Sequence, residues 1–190
     1  HEGFEQVLAI HDRRSGLKAF LAIHNTACGP AFGGVRRFAY RDEDDSLRDC
    51  MRLARAMTYK CALADLPAGG AKVVIQESGG EDWEGAYRHL GDVVEQLGGR
   101  FYTGPDVGTG EQELRWMTER TSYVTDPGEG GPGLLPECTA QGVFFGIAAA
   151  LRELDGQEAW AQRKIVVQGL GSVGALLAKQ LVAQGARVLG

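Results

Sequence analysis

The segment Met57 to Lys72, MTYKCALADLPAGGAK, sets two lysines on either side of a glycine-rich stretch. Lys60 falls on the apolar side of an expected helix, where an unpaired ammonium is expensive to bury and must reach solvent or meet an anion. Lys72 follows directly on Pro67-Ala68-Gly69-Gly70-Ala71 and precedes the apolar run Val73 to Ile75. Two ammonium groups at one cleft depress each other's pKa and attract a carboxylate. Such a pair could bind an acidic group and supply a general base. Solvent exposure is the ordinary alternative for a lysine and stays open for Lys60. A carboxylate candidate, Asp106, sits in GPDVGTG, Gly104 to Gly110. An Asx-turn or a buried cap is the alternative there.

A second chemistry-bearing pattern is GLGSVG, Gly169 to Gly174, placed after the apolar run Ile165 to Val167 and at the start of a helix. In a GxGxxG fingerprint Gly169 permits the turn, Gly171 lets a pyrophosphate approach, and Gly174 allows close helix packing. Ser172 and Val173 then lie in the first turn, whose free N–H groups attract phosphate. A tight turn without a ligand is the alternative, and the strand–turn–helix context favours dinucleotide binding. The acidic residue that reads the ribose lies about 20 residues beyond the fingerprint, so these residues leave NAD against NADP open. Thr139 reads, on pattern alone, as the N-cap of the following helix. His1, His11, His24 and His89 form no metal pattern, and Cys28, Cys50, Cys61 and Cys138 lack CxxC spacing. No metal centre is expected, and a reduced, cytoplasmic setting is the simpler reading.

These groups need elements to hold them. Val7 to Ile10 and Lys18 to His24 read as strands joined by a turn at Asp12 to Gly16. CGPAFGGVR, Cys28 to Arg36, is expected to break regular structure, and the acidic run Asp42 to Asp45 to be a solvated face or loop. A long helix is expected from Ser46, with Leu53, Met57 and Ala64 as its buried stripe and Arg48, Arg52 and Arg55 opposite. Pro67 ends it, and residues 67–71 form a loop into Lys72. Trp83, Tyr87, Leu90, Val94 and Leu97 trace a second helix, Phe101 and Tyr102 a short strand, and Glu111 to Arg120 a third helix with Leu114 and Met117 inward. Strands alternating with helices indicate an α/β fold.

The glycine- and proline-rich DPGEGGPGLLPE, Asp126 to Glu137, marks the expected domain boundary. Beyond it Val143, Phe144, Ile147, Leu151 and Leu154 form a helical stripe, and Arg187 to Leu189 begin another strand. One strand, one helix and the start of a second strand do not complete a doubly wound sheet, so the second domain is expected to be incomplete. A formal charge of -5 and 20 basic against 25 acidic residues disfavour a nucleic-acid partner. The apolar stretches fall short of a membrane span. Glycine, at 28 of 190 residues, is about twice its usual share of roughly 7% and follows no repeat.

The ordered set SGLKAFLAIH, CGPAFGGVR, LARAMTYKCALADLPAGGAK, RFYTGPDVGT, TAQGV and VVQGLGSVG resembles the leucine/phenylalanine/valine dehydrogenase branch of the amino acid dehydrogenase superfamily, over nearly the whole chain. The resemblance implies an N-terminal α/β catalytic domain followed by the first part of a Rossmann dinucleotide-binding domain. Residues 1–133 would then bind substrate and form the oligomer, and residues 134–190 would begin the NAD-binding domain. It further implies that Lys72 is the catalytic lysine that activates water, that Asp106 exchanges protons with the amino group, and that Lys60 binds the substrate α-carboxylate. Gly33 and Gly34 would border the substrate with backbone, beside Phe32 and Met57, and Thr139 would lie near the nicotinamide carboxamide, with NAD as cofactor. The implied reaction is reversible oxidative deamination of Leu, Val, Ile or Phe to the 2-oxo acid and ammonium by a homo-oligomer. Alternatives are a glutamate dehydrogenase-like or specialised-metabolism variant, or a non-catalytic binding module if the 190 residues are the whole protein. Two departures from the family pattern are Ala71 in place of a third glycine before the lysine, and GLLPECTAQGV without Pro-Ser-Pro before TA.

Overall fold

A computed structural model of the chain describes residues 3–125 and 135–190. It divides into two compact units, His1–Gly131 and Pro132–Gly190. The segment 126–134, which carries most of the expected boundary, lies outside the described residues.

The first unit is built on a six-stranded sheet. Strands β1 (Gln6–Asp12) and β2 (Leu17–Asn25) form an antiparallel hairpin. Its turn closes because the Asp12 carboxylate accepts from the Arg14 and Ser15 backbone N–H groups and from the Ser15 hydroxyl. β2 pairs antiparallel with β5 (Gly69–Gln76), and β5 pairs parallel with both β3 (Ala31–Phe32) and β4 (Val35–Phe38). β6 (Phe101–Tyr102) pairs parallel with β3. Ala31 faces Gly69 and Val35 faces Val73, so the register of β3 continues unchanged into β4. The segment expected to break regular structure is therefore one strand line with an interruption at Gly33–Gly34. Composition misleads here because those glycines serve close approach to neighbouring strands rather than a turn.

Alternation along the strands separates two faces. Ala31, Val35, Ala71, Val73, Ile75 and Phe101 meet Tyr87, Leu90 and Val94 of α2 (Trp83–Gln96) and Leu114 and Met117 of α3 (Glu111–Thr118) in the main core. On the opposite face Ala22 and Val74 pack against Cys50 and Ala54 of α1 (Glu43–Leu63). Trp83 and Trp116 pack against the main core, and the ring of His24, on β2, meets the Thr58 hydroxyl at 2.9 Å.

Helix α1 departs from the sequence expectations in where it starts and in which residues it buries, while the acidic run is a solvated face as expected. It begins at Glu43, capped by Asp42, whose carboxylate accepts from Asp45 N–H at 2.8 Å. The acidic run is thus the first helical turn, where carboxylates face the positive end of the helix dipole. Ser46 is buried inside the helix, its hydroxyl donating to the Glu43 carbonyl. The buried stripe is Ser46, Cys50, Ala54 and Cys61; Leu53 and Met57 are only half-buried and Ala64 is exposed. Small residues occupy the seam because α1 lies almost against the β5 backbone. Lys60, off that seam in the last turn, is exposed rather than part of a buried apolar face.

Gly69, Gly70 and Ala71, expected in a loop, belong to β5. A Cβ on Gly70 would lie 2.5 Å from the Ala54 carbonyl oxygen and overlap the Thr58 backbone N. Ala71 tolerates its methyl because it points into the main core, away from the α1 face.

The second unit is a helix and one parallel β–α–β turn. α4 (Leu135–Asp155) packs on α5 (Ser172–Ala183), which connects β7 (Lys164–Val166) to β8 (Arg187–Leu189) in parallel pairing. Ala140, Phe144, Ile147, Ala148 and Leu151 form the inward face of α4, and Phe144 stacks on Trp160 with ring centroids 5.1 Å apart. Val143 and Leu154, expected in that stripe, are exposed. Alanines at 140 and 148 carry the contact instead, because close helix packing selects small side chains.

Substituting Gly70→Ala pushes α1 off β5, and overpacking against backbone of this kind costs about 3 kcal/mol or more. Denaturant unfolding of the variant measures the loss; a midpoint equal to that of the parent contradicts the packing account.

Candidate active site

Lys72 lies on β5, directly opposite Ala22 of β2, and is 6% exposed. It occupies the α1 face of the sheet by alternation with the core residues Ala71 and Val73. Cys50 of α1 secures the backbone there: its thiol is 3.3 Å from both the Phe20 and the Lys72 carbonyl oxygens and can donate to either. Burial pushes that thiol up to about 12, so it remains a neutral donor.

The parallel register sets Gly33 and Gly34 beside Ala71 and Lys72. A Cβ on Gly33 would overlap the Ala71 carbonyl, and one on Gly34 would lie 2.7 Å from Pro105 O and 3.2 Å from Asp106 Cβ. Only backbone fits between the lysine strand and the Pro105–Asp106 segment. On the far side Val35 bridges to Pro105, and the backbone hydrogen bond from Val35 N to Gly104 O, 3.0 Å, fixes this segment. The Asp106 carboxylate consequently reaches Lys72 Nζ in direct ionic contact.

The electrostatics of the pair are set by burial and neighbouring charge. Desolvation drives the Lys72 pKa below the ordinary lysine value; Asp106 opposes that, and the charges of Arg36 and Lys60 reinforce it. Burial works against the Asp106 carboxylate, yet Lys72 and Arg36 outweigh it and hold it below the usual carboxylate range. Lys60 is thus close enough for its charge to act on Lys72 while standing in solvent at the end of α1. Met57 is half-buried one turn earlier, and Phe32 is 39% exposed on β3.

Two residues absent from the sequence-based candidates join this constellation. Arg36 lies 3.4 Å from Asp106 through Nε. Tyr102, 40% exposed, meets Phe32 edge-to-face with ring centroids 5.9 Å apart, on the same face as Lys72. Alternation from Gly34 to Arg36 was the available signal for the first. The second needs the β3–β6 pairing, which the sequence alone does not state.

In the second unit the GLGSVG turn has the form a pyrophosphate site requires. Gly169 adopts φ +85°, a left-handed conformation, and a Cβ on Gly174 would overlap the Gly169 carbonyl. Gly171 has open space around it and caps α5, whose first residues are Ser172 and Val173. Thr139 is not an N-cap: it lies inside α4, exposed, with its hydroxyl donating to the Leu135 carbonyl at 2.7 Å.

Residues 4–123 match the family described as Glu/Leu/Phe/Val dehydrogenase, dimerisation domain, and residues 130–190 match Glutamate/Leucine/Phenylalanine/Valine dehydrogenase. The chain belongs to the Glu/Leu/Phe/Val dehydrogenase family. It is 41% identical over 187 residues to phenylalanine dehydrogenase of Caldalkalibacillus thermarum, covering 97% of this chain and 50% of that protein. Leucine dehydrogenase of Bacillus cereus is 41% identical over 189 residues, covering 98% of this chain and 52% of its own length. The crystal structure of L-tryptophan dehydrogenase from Nostoc punctiforme superposes with a TM-score of 0.76 at 37% identity, over 98% of this chain and 54% of that one. This member of the family therefore spans about half the length of the curated relatives it matches.

Replacing Asp106 by Asn removes the group that favours the charged lysine while Arg36 and Lys60 remain. The Lys72 pKa then falls further, so the amine reacts with an acylating reagent at lower pH than in the parent. Peptide mass spectrometry of Lys72 labelling against pH measures this; an upward displacement contradicts the assigned electrostatics.

Proposed function

We propose that the full-length protein catalyses reversible NAD-dependent oxidative deamination of a branched-chain or aromatic L-amino acid, giving the 2-oxo acid and ammonium. The observation that carries the proposal is the buried Lys72 in contact with Asp106 beside the Gly33–Gly34 backbone, in a chain of this family. Residues 1–133 act as the substrate-binding, catalytic and oligomerisation domain, and residues 134–190 begin the Rossmann NAD-binding domain. The dimerisation domain named in the family description supports a homo-oligomer. The free thiols of Cys28, Cys50 and Cys61 suit a cytoplasmic setting.

The residues of the GLGSVG turn suit a dinucleotide: the left-handed Gly169, the unobstructed Gly171 and the tight Gly174 leave the α5 N-terminus open to a pyrophosphate. Gly169, Gly171, Ser172, Val173 and Gly174 would hold NAD, with Thr139 toward the carboxamide. When bound, NAD supplies the hydride acceptor.

Lys60 holds the substrate α-carboxylate, and Gly33 and Gly34 offer a flat backbone border. Asp106 takes a proton from the substrate ammonium, so that the amine lone pair favours loss of hydride from Cα. Neutral Lys72 then takes a proton from water as the water oxygen bonds to the cationic imine carbon. Asp106 returns its proton to nitrogen and accepts one from the new hydroxyl as ammonia leaves and the carbonyl forms. The two protons left on Lys72 and Asp106 pass to ammonia and solvent. The exposed aromatic pair Phe32–Tyr102 favours an apolar or aromatic side chain over glutamate. A second carboxylate would need a cation, and Arg36 on this face is already engaged by Asp49 and Asp106.

Turnover assays on the full-length protein with L-Leu, L-Val, L-Phe and L-Glu, each with NAD and NADP, test the proposal by formation of reduced cofactor. Reaction with none of them refutes it. Lys72→Ala lowers turnover by about a thousandfold or more while the fold and NADH binding are retained; near-native turnover removes Lys72 from the catalytic role.

A further inference from the structure

Four charged groups from different elements lie in line on the α1 face: Asp49 of α1, Arg36 of β4, Asp106 after β6 and Lys72 of β5. We propose that Arg36 is a positioning residue: clamped by Asp49, it fixes the Asp106 carboxylate against Lys72 and supplies the permanent positive charge that the pair works beside. The inference rests on the function proposed above and deepens it.

The guanidinium is held at both ends. Its Nη1 donates to Asp49 Oδ2 at 3.0 Å, and its Nε lies 3.4 Å from Asp106 Oδ2. Asp49 is in turn fixed by the Tyr40 hydroxyl at 2.7 Å and by Arg52 Nη2 at 2.6 Å. Register makes the contact with Asp106 unavoidable, because Val35 is paired with Pro105 and the next residues along, Arg36 and Asp106, are neighbours. A lysine could not span both carboxylates, since it offers a point charge in place of a planar fork.

Arg36 Nε and Asp106 Oδ2 are both buried, and at 3.4 Å no hydrogen bond of regular geometry links them, while the same oxygen is in ionic contact with Lys72 Nζ. The link between Arg36 and Asp106 is therefore electrostatic. The reason a fixed cation is needed follows from the cycle itself. At the start of the cycle Lys72 is neutral while Asp106 is still a carboxylate waiting for the substrate proton, so Asp106 lacks its closest counter-charge, and an unpaired buried carboxylate is costly. Arginine does not deprotonate in proteins, so Arg36 keeps Asp106 compensated until it takes the substrate proton.

The groups facing Lys72 are Asp106, Arg36, Lys60 of α1 and, on its backbone, the Cys50 thiol. Those facing Arg36 are Asp49, Asp106 and Tyr40. Among them Arg36 acts in one direction on both partners, disfavouring the proton on Lys72 and on Asp106.

The test compares full-length parent, Arg36→Gln and Arg36→Lys by two readouts: Lys72 labelling against pH by an amine-reactive acylating reagent, and the pH profile of kcat/KM with the amino acid that is turned over. In Arg36→Gln the labelling curve of Lys72 moves up by about one pH unit, and the acid limb of kcat/KM moves with it, giving about a tenfold loss below the limb. Arg36→Lys keeps both curves near the parent while kcat falls about tenfold, because charge is retained and the double clamp is not. An unmoved labelling curve in Arg36→Gln overturns the proposal, whatever happens to activity. If Arg36→Gln does not fold, native kcat in Arg36→Lys overturns it instead. A parent inactive toward every amino acid, with the labelling shift present, refutes the proposed function and leaves the role of Arg36 standing.

Discussion

An ammonium group buried on a central strand of a sheet is unfavourable by several kcal/mol unless counter-charge is brought to it. Lys72 is that group, and the architecture around it follows from the requirement. Its partner cannot come from β5, where successive side chains point to opposite faces. It comes from Asp106, across β3–β4, and can reach only because the strand between them carries no side chains at Gly33 and Gly34. Glycine serves here as missing volume: two backbones approach, and the carboxylate passes over the gap.

The same economy of volume governs the other side of Lys72. α1 lies so close to β5 that its seam is Ser46, Cys50, Ala54 and Cys61 against Gly70, and Val74 is the largest fully buried apolar side chain on that face. The ordinary large-residue core is confined to the opposite face, where Tyr87, Leu90, Phe101 and Met117 are fully buried. The sheet is therefore anchored firmly on one side and thinly covered on the other, and the thin side is where Lys72, Asp106, Phe32 and Tyr102 gather. A rigid core beneath an open polar face holds these side chains in place and leaves the space above them unfilled, as the proposed catalysis requires.

Charge on that face is arranged in a chain and not in isolated pairs. Asp49, Arg36, Asp106 and Lys72 alternate in sign, so changing the protonation of any one is felt by its neighbours. The second unit contributes a different physical device. Its glycine turn leaves the N-terminus of α5 clear of side chains at Gly169, Gly171 and Gly174, so absent volume opens a helix end there and does not bring strands together.

Local patterns in the chain determined the hairpin, α2, β6, α3 and the strand–turn–helix around GLGSVG, because each has its own periodicity or turn chemistry. Lys72, Asp106 and the glycine pair were legible as candidates because their residue types are conspicuous in context and their order resembles a known family. What the chain could not state was anything dependent on which strands are neighbours. The strand nature of Ala31–Phe38, the small-residue seam of α1 and the exposure of Lys60 all follow from strand pairing across dozens of residues. Arg36 is the clearest case. In the sequence it closes a glycine-rich segment expected to be irregular, and only the parallel register that sets it beside Asp106 makes it part of the site. Sequence alone determined which groups were available for chemistry; tertiary structure decided which of them stand within reach of Lys72, because the energy of a buried charge depends on distance in space and not on separation along the chain.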